Sequence, residues 1–275
     1  MDGDIDLDAY FARIGYAGPR AANLEVLTAL HRLHPEAIPF ESLDPLLGRP
    51  VRIDAAALEG KLVRARRGGY CFEHNGVLFR VLRSLGFSVT PLAARVVWMA
   101  PKDAPRSPLS HMLLKVDLPE GAFLTDVGFG GQSPTAPLRL APDVEQATPH
   151  GAYRLTRNQD IFELQMRLPD RWDAMYRFTL EAQGQRDYES FNWMTSTHPD
   201  SRFTNNLIAA RVSGDARLNL FNTELTTYHG DGRIETRTLT SPAEAHALLT
   251  GDFGIDVDLE EIERVFGRLA RPATG

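Results

Sequence analysis

Cys71, the single cysteine of a 275-residue chain, lies in Arg67-Gly68-Gly69-Tyr70-Cys71-Phe72-Glu73-His74-Asn75. It precedes a run in which Val77, Leu78, Val81, Leu82 and Leu85 recur at helical spacing up to Gly86. Gly68-Gly69 allows a sharp entry turn just ahead of the thiol. The pattern places Cys71 in the first turn of a buried helix, where unpaired N–H groups and the positive helix end favour a thiolate, the form that attacks carbonyl carbon. A helix end is not enough by itself. Moving a thiol from a free pKa of about 8.5 to roughly 5 takes about 5 kcal/mol, whereas a helix terminus supplies ~0.3–1 kcal/mol and at best ~2. An activated Cys71 therefore needs a cationic partner, for which histidine is the usual choice. Without one, it is a small buried hydrophobe, the commoner fate of a lone cysteine.

Two histidines compete for that task. His74 is three residues along the same helix, but it reads equally as an exposed helix residue with nothing nearby to orient its ring. His111 opens the apolar, strand-like run His111-Met112-Leu113-Leu114-Lys115-Val116-Asp117-Leu118, and Phe123-Leu124-Thr125-Asp126-Val127 follows a Pro119-Glu120-Gly121 turn. If Leu118 faces Gly121, Leu113 faces Asp126. His111 and Asp126 then become diagonal neighbours on one face, about 7–8 Å apart at the backbone, close enough for a carboxylate to hold an imidazole N–H. A one-residue slip would separate them onto opposite faces. Nucleophile, base and orienter together form the constellation of an activated thiol.

The elements that must position these groups change character along the chain. Leu7, Tyr10, Phe11 and Ile14 give one amphipathic helical pattern, Leu24, Leu27, Leu30 and His31 another, and the Cys71 helix closes this section. From Val89 to about Glu189, short alternating runs such as Ile161 to Met166 and Tyr176-Phe178-Leu180 read as an antiparallel sheet or barrel. The remainder carries a hairpin signal at His229-Gly230-Asp231-Gly232, a capping box at Ser241-Pro242-Ala243-Glu244, and a last helix through Leu259, Ile262, Val265, Phe266 and Leu269. The expected division is a helical bundle over 1–88 carrying the nucleophile, a β-barrel over 89–190 carrying His111 and Asp126, and an α/β lid over 191–275.

Other constellations carry less. Gly128-Phe129-Gly130-Gly131 lacks the third spaced glycine and the following helix of a dinucleotide site, and reads as a turn. His31 and His34 could offer a metal two nitrogens, but with no third ligand they read as surface or cap histidines, and no metal is expected. Arg67 beside Glu41 or Asp44 reads as a structural ion pair fixing the cysteine turn. Phe129 and Phe203 are by default core aromatics. The net charge of −6 comes with no basic run, RNA-binding aromatic motif or zinc-finger spacing, which argues against a nucleic-acid partner. Met1 to Asp6 lacks the charge and apolar run of a signal peptide, no segment is long enough to span a bilayer, and one cysteine permits no internal disulfide. The expectation is a cytoplasmic protein.

Arg-Gly-Gly-x-Cys-x-Glu-x-Asn around Cys71, His-Met-Leu-Leu-x-Val from His111 and Asp-Val-Gly-Phe-Gly from Asp126 resemble the three signatures of the arylamine N-acetyltransferase family. Upstream, Ile38-Pro39-Phe40-Glu41-Ser42-Leu43 resembles the family's Ile-Pro-Phe-Glu-Asn-Leu element with Ser42 in place of Asn; downstream, Thr195 to Pro199 and Ser201-Arg202-Phe203 resemble its Ser/Thr-Pro-x-Ser-x-Phe segment. The resemblance implies an α+β fold of N-terminal helical bundle, central antiparallel β-barrel and C-terminal α/β lid around a cysteine-protease-like core. It implies Cys71, His111 and Asp126 as the triad, with His74 on a variable position of the motif, and makes Phe129, Phe203, Ser110 and Gly130 candidates for substrate binding. The reaction implied is ping-pong transfer of an acetyl group from acetyl-coenzyme A, a co-substrate rather than a resident cofactor, through a Cys71 thioester. The acceptors implied are arylamines, hydrazines or arylhydroxylamines, as in xenobiotic metabolism. A macrolactam-closing amide synthase on the same fold, or a cysteine hydrolase or transglutaminase-like enzyme, could use the same triad.

Overall fold

The computed structural model describes residues 3–101, 103 and 105–269. Three helices of the first third, Leu7–Ile14, Leu24–Ala37 and Cys71–Ser84, form where apolar side chains recur along one stripe, and each of the first two is started by a side-chain cap. Asp6 accepts from the Ala9 N–H and Asn23 from the Val26 N–H, satisfying donors that a helix start leaves open. Their buried faces meet in one core containing Tyr10, Phe11, Leu27, Leu30, Val77 and Leu78.

Eight strands follow, all antiparallel. In spatial order they are Leu138–Arg139, Gly121–Thr125, His111–Leu118, Ser88–Val96, Trp172–Phe178, Ile161–Arg167, Gly151–Asn158 and Glu145–Thr148. The sheet curls into a nearly closed, barrel-like layer. Its two edge strands approach without a backbone ladder, and a side chain ties them instead: Gln146 accepts from the Arg139 N–H at 2.7 Å and donates to the Arg139 carbonyl at 2.9 Å. Alternation along His111–Leu118 then assigns faces. Met112, Leu114 and Val116 pack against the Cys71 helix, whereas Leu113 joins Tyr153, Leu164 and Tyr176 inside the curl.

The third layer is a five-stranded antiparallel sheet in the order Phe40–Glu41, Ile208–Ser213, Ala216–Phe221, Glu224–Tyr228, Ile234–Thr238. Its first strand comes from the N-terminal third of the chain. Helices Pro242–Thr250 and Leu259–Leu269 cover it, burying Leu248, Leu249, Ile262 and Val265. The expected cap at Ser241 is present, but Glu244 reaches one residue further back than a capping box requires, accepting from the Thr240 N–H at 2.8 Å. Along the chain, helix Gln185–Thr197 runs across position 190, after Trp172–Phe178 and before Ile208–Ser213. No helix among the described residues is long and apolar enough to cross a membrane.

Candidate active site

Cys71 is the first residue of helix Cys71–Ser84 and is 3% exposed. The chain reaches it through a turn held by charge. Arg67 donates to Glu41 at 2.6 Å and lies 3.4 Å from Asp44, while Lys61 bridges Asp44 at 2.6 Å and Glu73 at 2.7 Å. Glu73 in turn accepts the Tyr70 N–H at 3.0 Å, so the same carboxylate closes the helix start. Neither glycine of the turn has the left-handed backbone that a sharp glycine turn suggests. Gly68 serves close approach instead: a Cβ there would lie 2.1 Å from the Pro39 carbonyl.

The hairpin register matches the spacing argument. Leu118 pairs with Gly121 and Leu114 with Thr125, which extends to Leu113 opposite Asp126. His111 Nε2 and Asp126 Oδ2 are 2.7 Å apart, which leaves Nδ1 free, and Cys71 and His111 line the same cleft. The Cys71 sulfur is 3.5 Å from the Ser110 carbonyl. Burial opposes a charged imidazole, but Asp126, by charge and hydrogen bond, and then Cys71 outweigh it and raise His111 above the ordinary histidine range. Burial likewise opposes the Asp126 carboxylate, yet His111, Asn75 and the Gly128 N–H hold it below the usual carboxylate range.

Asn75 supplies an orienting contact that spacing left unassigned. Its Nδ2 donates to Asp126 Oδ1 at 2.9 Å and to the Met112 carbonyl at 2.7 Å, and its Oδ1 accepts the Val127 N–H at 3.1 Å. The signal was present in the cysteine motif: four residues after Cys71, Asn75 shares that helix face. Tyr176 had no such signal. It arrives from strand Trp172–Phe178 with its ring centroid 4.9 Å from that of His111, and Phe129 stands edge-on to His111 at 5.3 Å.

A cleft of about 790 Å³ opens over Cys71 and His111, walled by Phe40, Ser110, Phe129, Gly130, Phe203 and Asn219. All four residues singled out for substrate binding therefore line it, and Phe203 packs on Phe40 and Tyr70 at 6.1 and 5.2 Å. Ser42, where the resembling element has Asn, is buried and joins the first third of the chain to the last sheet, donating to the Asn206 carbonyl and accepting from the Ile208 N–H, both at 3.0 Å.

Three histidines depart from their surface reading. His31, His34 and His74 are all within 1% of full burial. Tyr10 bonds His34 Nδ1 at 2.9 Å, His34 Nε2 bonds His74 Nδ1 at 2.9 Å, and His74 Nε2 lies 3.1 Å from the Pro39 carbonyl. The ring of His74 is thus firmly oriented, but away from the thiol. His31 Nε2 donates to the Pro134 carbonyl at 3.0 Å. Helical periodicity shows which side of a helix a residue occupies, not that a polar side chain there will find partners inside the core. Among the described residues no group of three His, Cys, Asp or Glu is placed to hold a metal.

The model of a family described as N-acetyltransferase matches residues 23–262. An arylamine N-acetyltransferase of Mycobacterium tuberculosis is 46% identical over 256 residues, covering 92% of this chain and 90% of that protein. A Salmonella typhimurium relative named arylamine N-acetyltransferase / N-hydroxyarylamine O-acetyltransferase is 42% identical over 92% of this chain and 89% of its own length. The solved structure of Mycobacterium marinum arylamine N-acetyltransferase in complex with CoA superposes with a TM-score of 0.93 at 42% identity, covering 96% of this chain and 99% of that one.

Proposed function

The chain belongs to the arylamine N-acetyltransferase family, and we propose that its transfer of an acetyl group from acetyl-coenzyme A to an arylamine runs through a thioester on Cys71. The observation that carries this reading is the His111–Asp126 pair, an imidazole held 2.7 Å from a buried carboxylate in the cleft that Cys71, the first residue of its helix, also lines.

In the first half-reaction the Cys71 thiolate attacks the thioester carbonyl carbon. The tetrahedral adduct collapses with cleavage of the bond to coenzyme A sulfur, and the His111 imidazolium gives its proton to the departing thiolate. Exchange of one thioester for another keeps the acetyl group activated. In the second half-reaction the amine attacks acetyl-Cys71, neutral His111 takes the amine proton, and the Cys71 thiolate leaves paired again with imidazolium. Asp126 holds His111 in the tautomer with hydrogen on Nε2, so that Nδ1 is free to exchange protons with thiol and amine. Phe129, Phe203 and Phe40 would hold a planar arylamine against the thioester; Ser110 and Gly130 border the acetyl group. Hydrazines and arylhydroxylamines are further acceptors in this proposal. Action in the reducing cytoplasm also belongs to it, since the chemistry requires Cys71 as a free thiol.

Acetyl-coenzyme A given without acceptor is expected to add one acetyl mass to the protein, on Cys71, by intact-mass spectrometry and peptide mapping. Amine acetylation proceeding with no such adduct would exclude the two-step route.

A further inference from the structure

Arg217 is a buried cation with no task in the reaction above. It lies on strand Ala216–Phe221 of the five-stranded sheet and is 4% exposed. Neutral oxygens satisfy its fork: Nε and Nη2 donate to the His150 carbonyl at 3.2 and 3.1 Å, Nη1 to the Gly131 carbonyl at 3.1 Å, and Nη2 also to the Tyr153 hydroxyl at 3.1 Å. The Tyr153 hydroxyl is within 3.1 Å of the Gln132 carbonyl and 3.2 Å of that of Ser133. Two residues along the same strand, Asn219 presses on the same loop, so closely that a Cβ on Gly131 would lie 2.4 Å from its side chain. One face of one strand therefore grips the loop 128–133. That loop begins against the Cys71 backbone and carries Phe129 edge-on to His111.

We propose that Arg217 is a positioning residue that latches the five-stranded sheet onto loop 128–133 and thereby sets how acetyl-Cys71 divides between amine and water. The proposal rests on the Cys71 thioester reading. A buried guanidinium is tolerated only while its donors are met, so the latch has two states: docked, with its four bonds made, or lifted, with Arg217 in water. The docked state fixes the loop that stands Phe129 edge-on to His111, and in that arrangement water in the cleft is badly placed to reach the acetyl carbon and hand its proton to His111. In the lifted state water attacks the acetyl carbon, His111 takes one water proton, the carbon–sulfur bond breaks to free the Cys71 thiolate, and the acetic acid released gives its remaining proton to solvent to become acetate. Arginine suits this place because a planar fork spans acceptors on two segments at once, which an ammonium does not.

The test compares the full-length parent with Arg217→Met, Arg217→Lys and Tyr153→Phe. Each is acetylated with acetyl-coenzyme A, freed of excess donor, and followed by intact mass for loss of the adduct; acetate and acetylated arylamine are then counted in a parallel turnover. Arg217→Met is expected to acetylate within about twofold of the parent, while its adduct hydrolyses roughly tenfold faster and more acetyl is lost as acetate, the shift that loss of a charge-assisted bond brings. Arg217→Lys should move the same way because charge without the fork does not restore the latch, and Tyr153→Phe should show a smaller shift in the same direction. Should Arg217→Met fail to fold, the other two variants decide. An adduct lifetime and product ratio equal to the parent's in every folded variant, or an equal slowing of acylation and both fates, overturns the latch while leaving Cys71 in place. Absence of an adduct in the parent itself removes the thioester reading and this proposal with it.

Discussion

Asp126 Oδ1 already accepts from Asn75 at 2.9 Å and from the Gly128 N–H at 3.0 Å, and that double contact decides what Asp126→Asn would do. The new amide must keep its oxygen at that position to satisfy both donors, which turns its NH2 toward His111 Nε2. The ring then carries hydrogen on Nδ1, the nitrogen that Asp126 leaves free, and no longer accepts a proton from the thiol. A change of this kind costs about 10⁴ in rate in a serine triad, and we expect a loss of similar order in kcat/KM for the arylamine reaction. Iodoacetamide separates this from unfolding: if the folded variant alkylates Cys71 at low pH as fast as the parent, Asp126 does not sustain the ion pair. Residue-level chemistry was the part most open to sequence reading. Cys71, His111 and Asp126 each sit in a short segment whose pattern fixes the local geometry, whereas the Arg217 grip joins positions 86 residues apart and has no local signature.

Helices Leu7–Ile14, Leu24–Ala37 and Cys71–Ser84 are joined by the Tyr10, His34 and His74 chain, and its protons have one direction. The Pro39 carbonyl can only accept, so His74 carries hydrogen on Nε2, His34 on Nε2, and the Tyr10 hydroxyl donates to His34. Tyr10→Phe leaves the buried His34 Nδ1 without a donor and should cost about 1–3 kcal/mol in denaturant unfolding, with little change in the pH dependence of acylation. The same burial sets a pH limit. His31 and His74 are pushed down to about 4, and His34 also below its ordinary value, in each case chiefly by desolvation. Between the ordinary 6.5 and about 4 the unfolded chain binds more protons than the folded one, so their stabilisation is complete above 6.5 and is lost as pH falls through that window. His31 and His74 can each contribute up to roughly 3 kcal/mol across that window. Denaturant curves at successive pH values should show it, and His31→Asn should remove its share. Stability that stays level from pH 7 to 4.5 would contradict the assignment.

At the scale of the whole molecule the N-terminal segment and the last third are one structure. Phe40 pairs with Ala210 and Glu41 with Ala209, while Leu43 and Leu46 are buried in the same cluster as Leu207, Leu248 and Ile262. Neither part can unfold without exposing the other's core. The expected outcome is a single thermal transition with equal calorimetric and van't Hoff enthalpies. Ser42→Ala, which leaves the Ile208 N–H without its acceptor, should lower that transition as a whole; two resolved transitions, with only one of them shifted, would contradict this coupling.

From sequence alone, the chain specified the helix that begins at Cys71, the hairpin that sets Asp126 beside His111, and the shift from helical to extended to mixed structure, because spacing along one segment decides each. Tertiary structure decided what depends on segments meeting. It turned His31 and His34 from expected surface groups into core members and set His74 beside them, gave Asn75 its carboxylate, and tied the edges of the eight-stranded layer through the Gln146 side chain. It also brought Phe40 and Phe203 to one cleft wall and set Arg217 against Gly131. Periodicity reports only the side on which a residue lies. Which donor meets which acceptor there is settled by packing, since a buried polar group stays in the core only with a partner that a distant part of the chain must bring.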